Sequence, residues 1–286
     1  LIGPIVTSTP EAAAIYAPGG RLLVEGDVMR NPAYAHFLDE VAAGLSALPA
    51  EGPLHAGDLA AYTVYEREPL TVDLPGGTLF TNPPPSLGGS IIAHALADLP
   101  DRLTALDLLE ALRDATDHNK TLAPTSVRGT THISVTDGVQ TVAMTVSNGS
   151  CSGVMLGDTG VQLNNMMGES DLHPDGHIAQ VGSRIRSMMA PSLVVRDGVV
   201  TALGTGGSER IRSAMTRTIG GLLRGVPLQD AIDAPRIHLD NARVVQIEPG
   251  FPPAELAALP EPVSHWRHKD FYFGGVHAVS SDGEAA

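Results

Sequence analysis

Residues 128–135, Arg-Gly-Thr-Thr-His-Ile-Ser-Val, can be read as a cleavage site and a nucleophile at once. A threonine hydroxyl is a poor nucleophile while it keeps its proton, and a free α-amino group, with a pKa near neutrality, can serve as its base. Breaking the bond between Gly129 and Thr130 would place both groups on one residue. Gly129 suits that bond because a residue without Cβ tolerates the strained geometry of an acyl shift onto the threonine oxygen. The same residues have a plainer reading, which a short motif more often carries. Gly129 would end a loop and Thr130 begin a strand, with His132, Ser134 and Thr136 on one face and Ile133 and Val135 on the other.

The elements that must hold such a site follow from the texture of the chain. Up to about Leu112 the pattern reads as helical segments broken by Pro and Gly, with a proline-rich turn at 82–90 and helices over 90–99 and 107–114. Residues 117–128 form a polar connector that would leave Gly129 accessible. Strands are predicted at 131–136 and 141–147. Residues 192–203 should fold on themselves at Asp197-Gly198, a hairpin dipeptide. A helix over 208–224 follows, with Ile211, Met215, Ile219, Leu222 and Leu223 on one face and Gly225 as its stop. A second helix at 227–234 and strands at 244–248 and 274–280 complete an α+β pattern of layers.

Composition limits what this fold can serve. The 286 residues are 43% hydrophobic with a net charge of −14, enough chain for a full core. The 18 Lys and Arg are scattered, which argues against nucleic acid as a partner. No apolar run reaches the roughly 18 residues of a membrane span. Cys151 is the sole cysteine, so an intrachain disulfide and a cysteine-rich zinc site are excluded. His173 and His177 are spaced i, i+4, but Pro174-Asp175-Gly176 between them denies a helix, so no metal is expected. No signal peptide is visible, and the compartment stays open, with the cytoplasm slightly favoured.

Six separated segments occur in the order found in one family: 57–62 with 66–69 (GDLAAY, EREP), 83–89 (PPPSLGG), 130–135 (TTHISV), 160–167 (GVQLNNMM), 204–208 (GTGGS) and 231–236 (AIDAPR). On these the chain resembles the γ-glutamyltransferase family of N-terminal-nucleophile hydrolases. The resemblance implies a four-layer αββα sandwich, self-cleavage between Gly129 and Thr130, and acyl transfer from a γ-glutamyl amide to water or an amine. Residues 1–129 would be the C-terminal part of the large-subunit region, mostly helical, and 130–286 the small-subunit region, closely packed as one unit. Partners would be a small amide or peptide substrate and the chain's own cleaved subunit. No cofactor is implied.

Position by position, the resemblance makes Thr130 the nucleophile and Ser147 the hydroxyl that hydrogen-bonds it, where the family has a threonine. Ser147 could otherwise be an ordinary strand residue. Gly206 and Gly207 match the oxyanion hole, and small residues before a helix do let N–H groups converge on a developing oxyanion. Without the resemblance, such a pair is more often a tight turn. His132 is structural in the family's pattern, and a catalytic role would need a third, orienting group.

Departures gather where the family binds the donor's ammonium and carboxylate. Gly168-Glu169 stands in place of two aspartates, with Asp171 a possible substitute. Ser187-Met188 replaces paired serines, exchanging one hydroxyl for a thioether. Asn148 matches a donor-contacting asparagine only across a one-residue gap. Residues 172–184 are short where many members carry a lid, implying a more open site. No arginine for the donor carboxylate is visible, since Arg21 and Arg30 fall in a different segment. The expectation is an autoprocessing threonine hydrolase or acyltransferase acting on γ-glutamyl amides. Two alternatives stay open: a divergent member cleaving a different amide or carbon–carbon bond, and an unprocessed homologue without catalysis.

Overall fold

The computed structural model describes residues 3–44, 54–97, 99–118, 129–169, 180–240, 242–260 and 262–286. They fall into two compact units, one from residues 1–66 and 148–166, the other from 67–147 and 167–286. The Gly129–Thr130 bond thus lies inside the second unit.

Among its described residues the first unit has the short α-helices α1 (Gly3–Val6), α2 (Pro10–Tyr16), α3 (Pro32–Ala42) and α4 (Ala56–Ala61). Capping residues tie its two chain segments together. Thr9 accepts from Ala12 N at 3.3 Å and donates to Gly153 O at 2.9 Å. Asn31 likewise accepts from Tyr34 N at 3.0 Å and donates to Gly160 O at 2.9 Å. One side chain thereby satisfies an orphan N–H at a helix start and fixes a distant loop.

The second unit is built on a five-stranded antiparallel sheet in the order β1-β2-β5-β6-β10. Its strands are β1 (Leu70–Leu74), β2 (Gly77–Thr81), β5 (Ser192–Arg196), β6 (Val199–Gly204) and β10 (His277–Ser280). Leu79, Val194, Leu203 and Ala278 share one face and join the main core with Ile91, Ile92, Leu108, Leu109, Ile211, Met215 and Ile219. Those residues come from α5 (Leu87–Ala97), α6 (Ala105–His118) and α7 (Arg210–Leu223). The opposite face, on which Gly204 lies, is met by the hairpin of β3 (Gly129–Thr136) and β4 (Thr141–Gly149), whose last two residues belong with the first unit. A small sheet, β7 (Ile237–Leu239), β8 (Val245–Ile247) and β9 (Val263–His265), and the helices α8 (Leu228–Asp233) and α9 (Pro253–Leu256) complete this unit.

The α+β class is as expected, and helix, sheet and sheet supply three of the four expected layers in this unit. Ile133, Val135, Val142, Met144 and Val146, on the outer side of the hairpin, are exposed. No described helix is long and apolar enough to cross a membrane.

The elements depart from expectation in two places. Residues 70–81, expected within a helical stretch, form the β1–β2 hairpin, with Leu70, Val72 and Leu74 turned inward and Thr71 and Asp73 outward. The period-2 alternation wins over a helix because Pro75-Gly76-Gly77 closes the turn, Gly76 at φ +92°. The helix expected from 208 starts at Arg210 instead, because residues 206–208 are held in a turn, with Ser208 at φ +55°. The 192–203 hairpin forms as expected, Asp197 and Gly198 both in the left-handed region.

Candidate functional site

Thr130 is the second residue of β3, part-buried, and its Oγ1 donates to Ser147 Oγ on β4 at 3.0 Å. The two hydroxyls meet because β3 and β4 pair, and both residues lie on the side of the hairpin turned toward the large sheet. Gly206 stands directly against Thr130. A Cβ built on Gly206 would come within 2.5 Å of the Thr130 carbonyl oxygen, so only glycine lets the two backbones approach. Gly207 follows at φ +122°, and α7 opens three residues later. The turn therefore sets Gly206 beside Thr130, with Gly207 and the start of α7 following in the chain, an arrangement suited to receiving developing negative charge.

His132 lies on the same face as Thr130, with both ring nitrogens occupied. Nδ1 is 2.8 Å from Thr145 Oγ1, and Nε2 is 2.8 Å from Ser134 Oγ. Burial, aided by the nearby His277, lowers its pKa to about 4, so the ring is neutral at pH 7. It fills the space that any side chain at position 204 would need: a Cβ on Gly204 would lie 2.2 Å from Nδ1. This geometry fits a strut between the two sheets.

The other expected site residues are placed separately. Ser187 Oγ accepts from Met189 N at 2.9 Å, and its carbonyl accepts from Leu87 N at 2.8 Å. Met188 is buried in the main core. Glu169 is buried in the second unit. Asn148, on the first unit, is exposed, and its Nδ2 donates to Gln162 O at 3.3 Å. Arg21 pairs with Asp27 at 2.8 Å. Asp171, His173, His177 and Arg128 lie outside the described residues, as does most of the 172–184 segment. Among the described residues no group of His, Cys, Asp and Glu is arranged to hold a metal ion.

Sequence reasoning missed the layer behind the Gly-Gly turn. Gly274, at φ +84°, packs so closely that a Cβ there would lie 2.9 Å from both Gly206 O and Thr205 Oγ1. Gly274-Gly275, and the charged run Glu209, Arg210 and Arg212 at the start of an otherwise core-facing helix, were the available signals.

The gamma-glutamyltranspeptidase family model matches residues 4–118 and 98–286. The chain is 27% identical over 276 residues to the glutathione hydrolase proenzyme of Escherichia coli (strain K12), a match covering 71% of this chain and 47% of that protein. It is 26% identical over 329 residues to the acylase ACY 1 proenzyme of Pseudomonas sp. (strain V22), covering 87% of this chain and 57% of the relative. The chain thus spans about half the length of these curated relatives. A crystal structure of cephalosporin acylase from Bacillus halodurans has the same fold, with a TM-score of 0.76 at 22% identity over 94% of this chain and 62% of that one. With the family model covering nearly the whole sequence and the Thr130 and Gly206 segments in register with the fold, this chain belongs to the gamma-glutamyltranspeptidase family.

Proposed function

We propose that the protein is an autoprocessing N-terminal-nucleophile amide hydrolase or acyltransferase with Thr130 as its nucleophile. The observation that carries this reading is the contact of Thr130 with both Ser147 and the Gly206–Gly207 turn in a member of this family. In processing, Thr130 Oγ adds to the Gly129 carbonyl, the C–N bond breaks to give an ester, and water releases the Gly129 carboxylate. Thr130 is left with a free amine. That amine then takes the hydroxyl proton as Oγ attacks the substrate carbonyl, and Gly206 and Gly207 N–H groups steady the oxyanion. The Thr130 ammonium returns its proton to the substrate's amide nitrogen, which leaves as an amine, and the acyl-threonine that remains is resolved by water or a second amine. Ser147 orients the attacking oxygen throughout.

For the donor we propose a γ-glutamyl amide, with Glu169 facing its ammonium and Ser187 contributing a polar contact. A second reading has support in the relatives, since an acylase matches this chain at about the same identity as a glutathione hydrolase and over more of it. In that reading the donor is a carboxyacyl amide lacking the α-ammonium.

Mass spectrometry of the purified protein is the first test. Fragments ending at Gly129 and starting at Thr130 are expected, and Thr130→Ala should stay intact and inert. An intact wild-type chain that still hydrolyses amides would overturn the mechanism. Paired assays on γ-glutamyl and glutaryl anilides, which differ only at the α-ammonium, then separate the donors. Faster turnover of the glutaryl amide sinks the γ-glutamyl assignment.

A further inference from the structure

The start of α7 holds a cluster of charge that the chemistry above does not use. Glu209, Arg210, Arg212 and His238 are each no more than 5% exposed. The Glu209 carboxylate lies 4.0 Å from Arg210 Nη1, 3.9 Å from Arg212 Nη2 and 3.9 Å from His238 Nε2. His238 is held on its other side by Ser213 Oγ, 2.7 Å from Nδ1. Burial keeps this histidine neutral, with a pKa lowered to about 4, and the Glu209 carboxyl group lies between two guanidinium groups. Buried ion clusters of this kind are seldom the most stable filling of a core, and apolar replacements often equal or exceed them. Their value lies in fixed direction.

The cluster directly follows a strained turn. Ser208 at φ +55° is a non-glycine residue in the left-handed region, a conformation that persists only where its surroundings enforce it. Arg210 N donates back to Gly207 O at 3.0 Å, and Ile211 N to Ser208 O at 3.1 Å. The same Arg210 reaches behind the turn. Its Nε donates to Tyr272 O at 3.1 Å, and its guanidinium lies 4.9 Å from the Tyr272 ring centroid. Tyr272 is stacked in turn on Trp266 at 4.9 Å. Two residues beyond, Gly274 gives its carbonyl to Arg236 Nη1 and presses its Cα on Gly206 and Thr205. The wall behind the glycine pair is thus clamped to the residues that follow the pair.

We propose that Glu209 and Arg210 are positioning residues that hold the 206–208 turn in register with Thr130. Glu209 aims Arg210 across the helix start, and Arg210 pins the Tyr272–Gly274 wall against Gly206. This rests on the reading of Gly206 and Gly207 as oxyanion donors. A small displacement of such donors is costly, since about 1 Å of misplacement can lower a rate by the order of a hundredfold.

The test uses Glu209→Gln, which keeps shape and removes charge, and Arg210→Lys, which keeps charge and removes the fork. Each should lower kcat about tenfold or more with KM changed less than about twofold, and Glu209→Gln should also lower the melting temperature, because it leaves two buried guanidinium groups without their partner. A filler of the core would shift the melting temperature alone and leave kcat in place. Amide hydrogen exchange gives a readout independent of turnover: the 206–208 amides should exchange slowly in the wild type and about tenfold faster in Glu209→Gln, with the 197–198 hairpin unchanged. Folded variants with unaltered kcat and unaltered exchange overturn the proposal. Should neither variant fold, fast exchange at 206–208 in the wild type overturns it and slow exchange supports it. A wild type inert toward every acyl amide, with these exchange differences present, overturns the reading of the site and leaves the clamp standing.

Discussion

Gly206 lies so close to Thr130 that a Cβ on it would stand 2.5 Å from the Thr130 carbonyl oxygen, well inside van der Waals contact. Alanine at this position must push the turn away from the nucleophile or push β3 off β6. On the proposed function, either movement separates the oxyanion donors from the attacking oxygen. Gly206→Ala is therefore expected to reduce kcat by about 10²- to 10³-fold, the scale of losing one oxyanion donor. Single-turnover release of anilide measures it. Far-UV circular dichroism should remain that of the wild type.

The hydroxyl pair makes a smaller and separable contribution. Ser147 accepts from Thr130 Oγ1 at 3.0 Å, so Ser147→Ala frees the nucleophile to rotate away. A neutral hydrogen bond contributes about 0.5–1.5 kcal/mol net. Both processing at Gly129–Thr130 and turnover should slow by roughly two- to twelvefold as a result. Ser147→Thr, which restores the hydroxyl, should recover most of the loss. A Ser147→Ala protein cleaved at the wild-type rate would show that the contact plays no part in processing.

Much of this site was legible because its residues have few alternatives. Thr130, His132 and Ser134 alternate with Ile133 and Val135, and the strand forms with the polar side facing the large sheet. That alternation does not tell which face is inside. The polar side is the buried one here, with the apolar side exposed, the reverse of the usual strand. His132 was readable as structural, but its fit under Gly204 was not, since 72 residues of chain separate them. The β1–β2 hairpin is hard to read although 70–81 alternates, because the surrounding Pro and Gly serve equally well as helix breaks. Glu209 and Arg210 escaped notice because charged residues at a helix start ordinarily face solvent. Met188 was expected at the site on sequence position alone, and packing puts its side chain in the core.

Arg224 predicts a stability effect with no catalytic counterpart. At the end of α7 its guanidinium donates to Leu99 O at 2.9 Å, Pro100 O at 2.5 Å and 3.1 Å, Asp101 O at 3.0 Å and Gly220 O at 2.8 Å. One side chain thus closes the C-terminal turn of α7 and fixes the loop after α5. Arg224→Ala leaves several carbonyls to find water, at a cost of about 1.5–3 kcal/mol. Urea denaturation should show the midpoint fall with an unchanged slope. Turnover below the transition should match the wild type, and a loss of kcat there would contradict the assignment.

Acid should weaken the fold through two buried imidazoles. His132, faced by His277, and His238, faced by Glu209, Arg210 and Arg212, both have pKa values lowered to about 4 from 6.5, chiefly by burial. As pH drops below 6.5 the unfolded chain takes up protons that the folded chain refuses. Stability present above pH 6.5 is therefore lost progressively down to about pH 4, where the folded rings protonate as well. Each ring can contribute a slope of up to about 1.4 kcal/mol per pH unit within that window. Unfolding free energies measured from pH 7.5 to 4.5 should be flat at first and then decline. His132→Asn should lower stability at pH 7, because Thr145 and Ser134 lose their shared partner, and it should flatten the acid slope. An acid slope equal to that of the wild type would mean that His132 titrates normally in the folded protein.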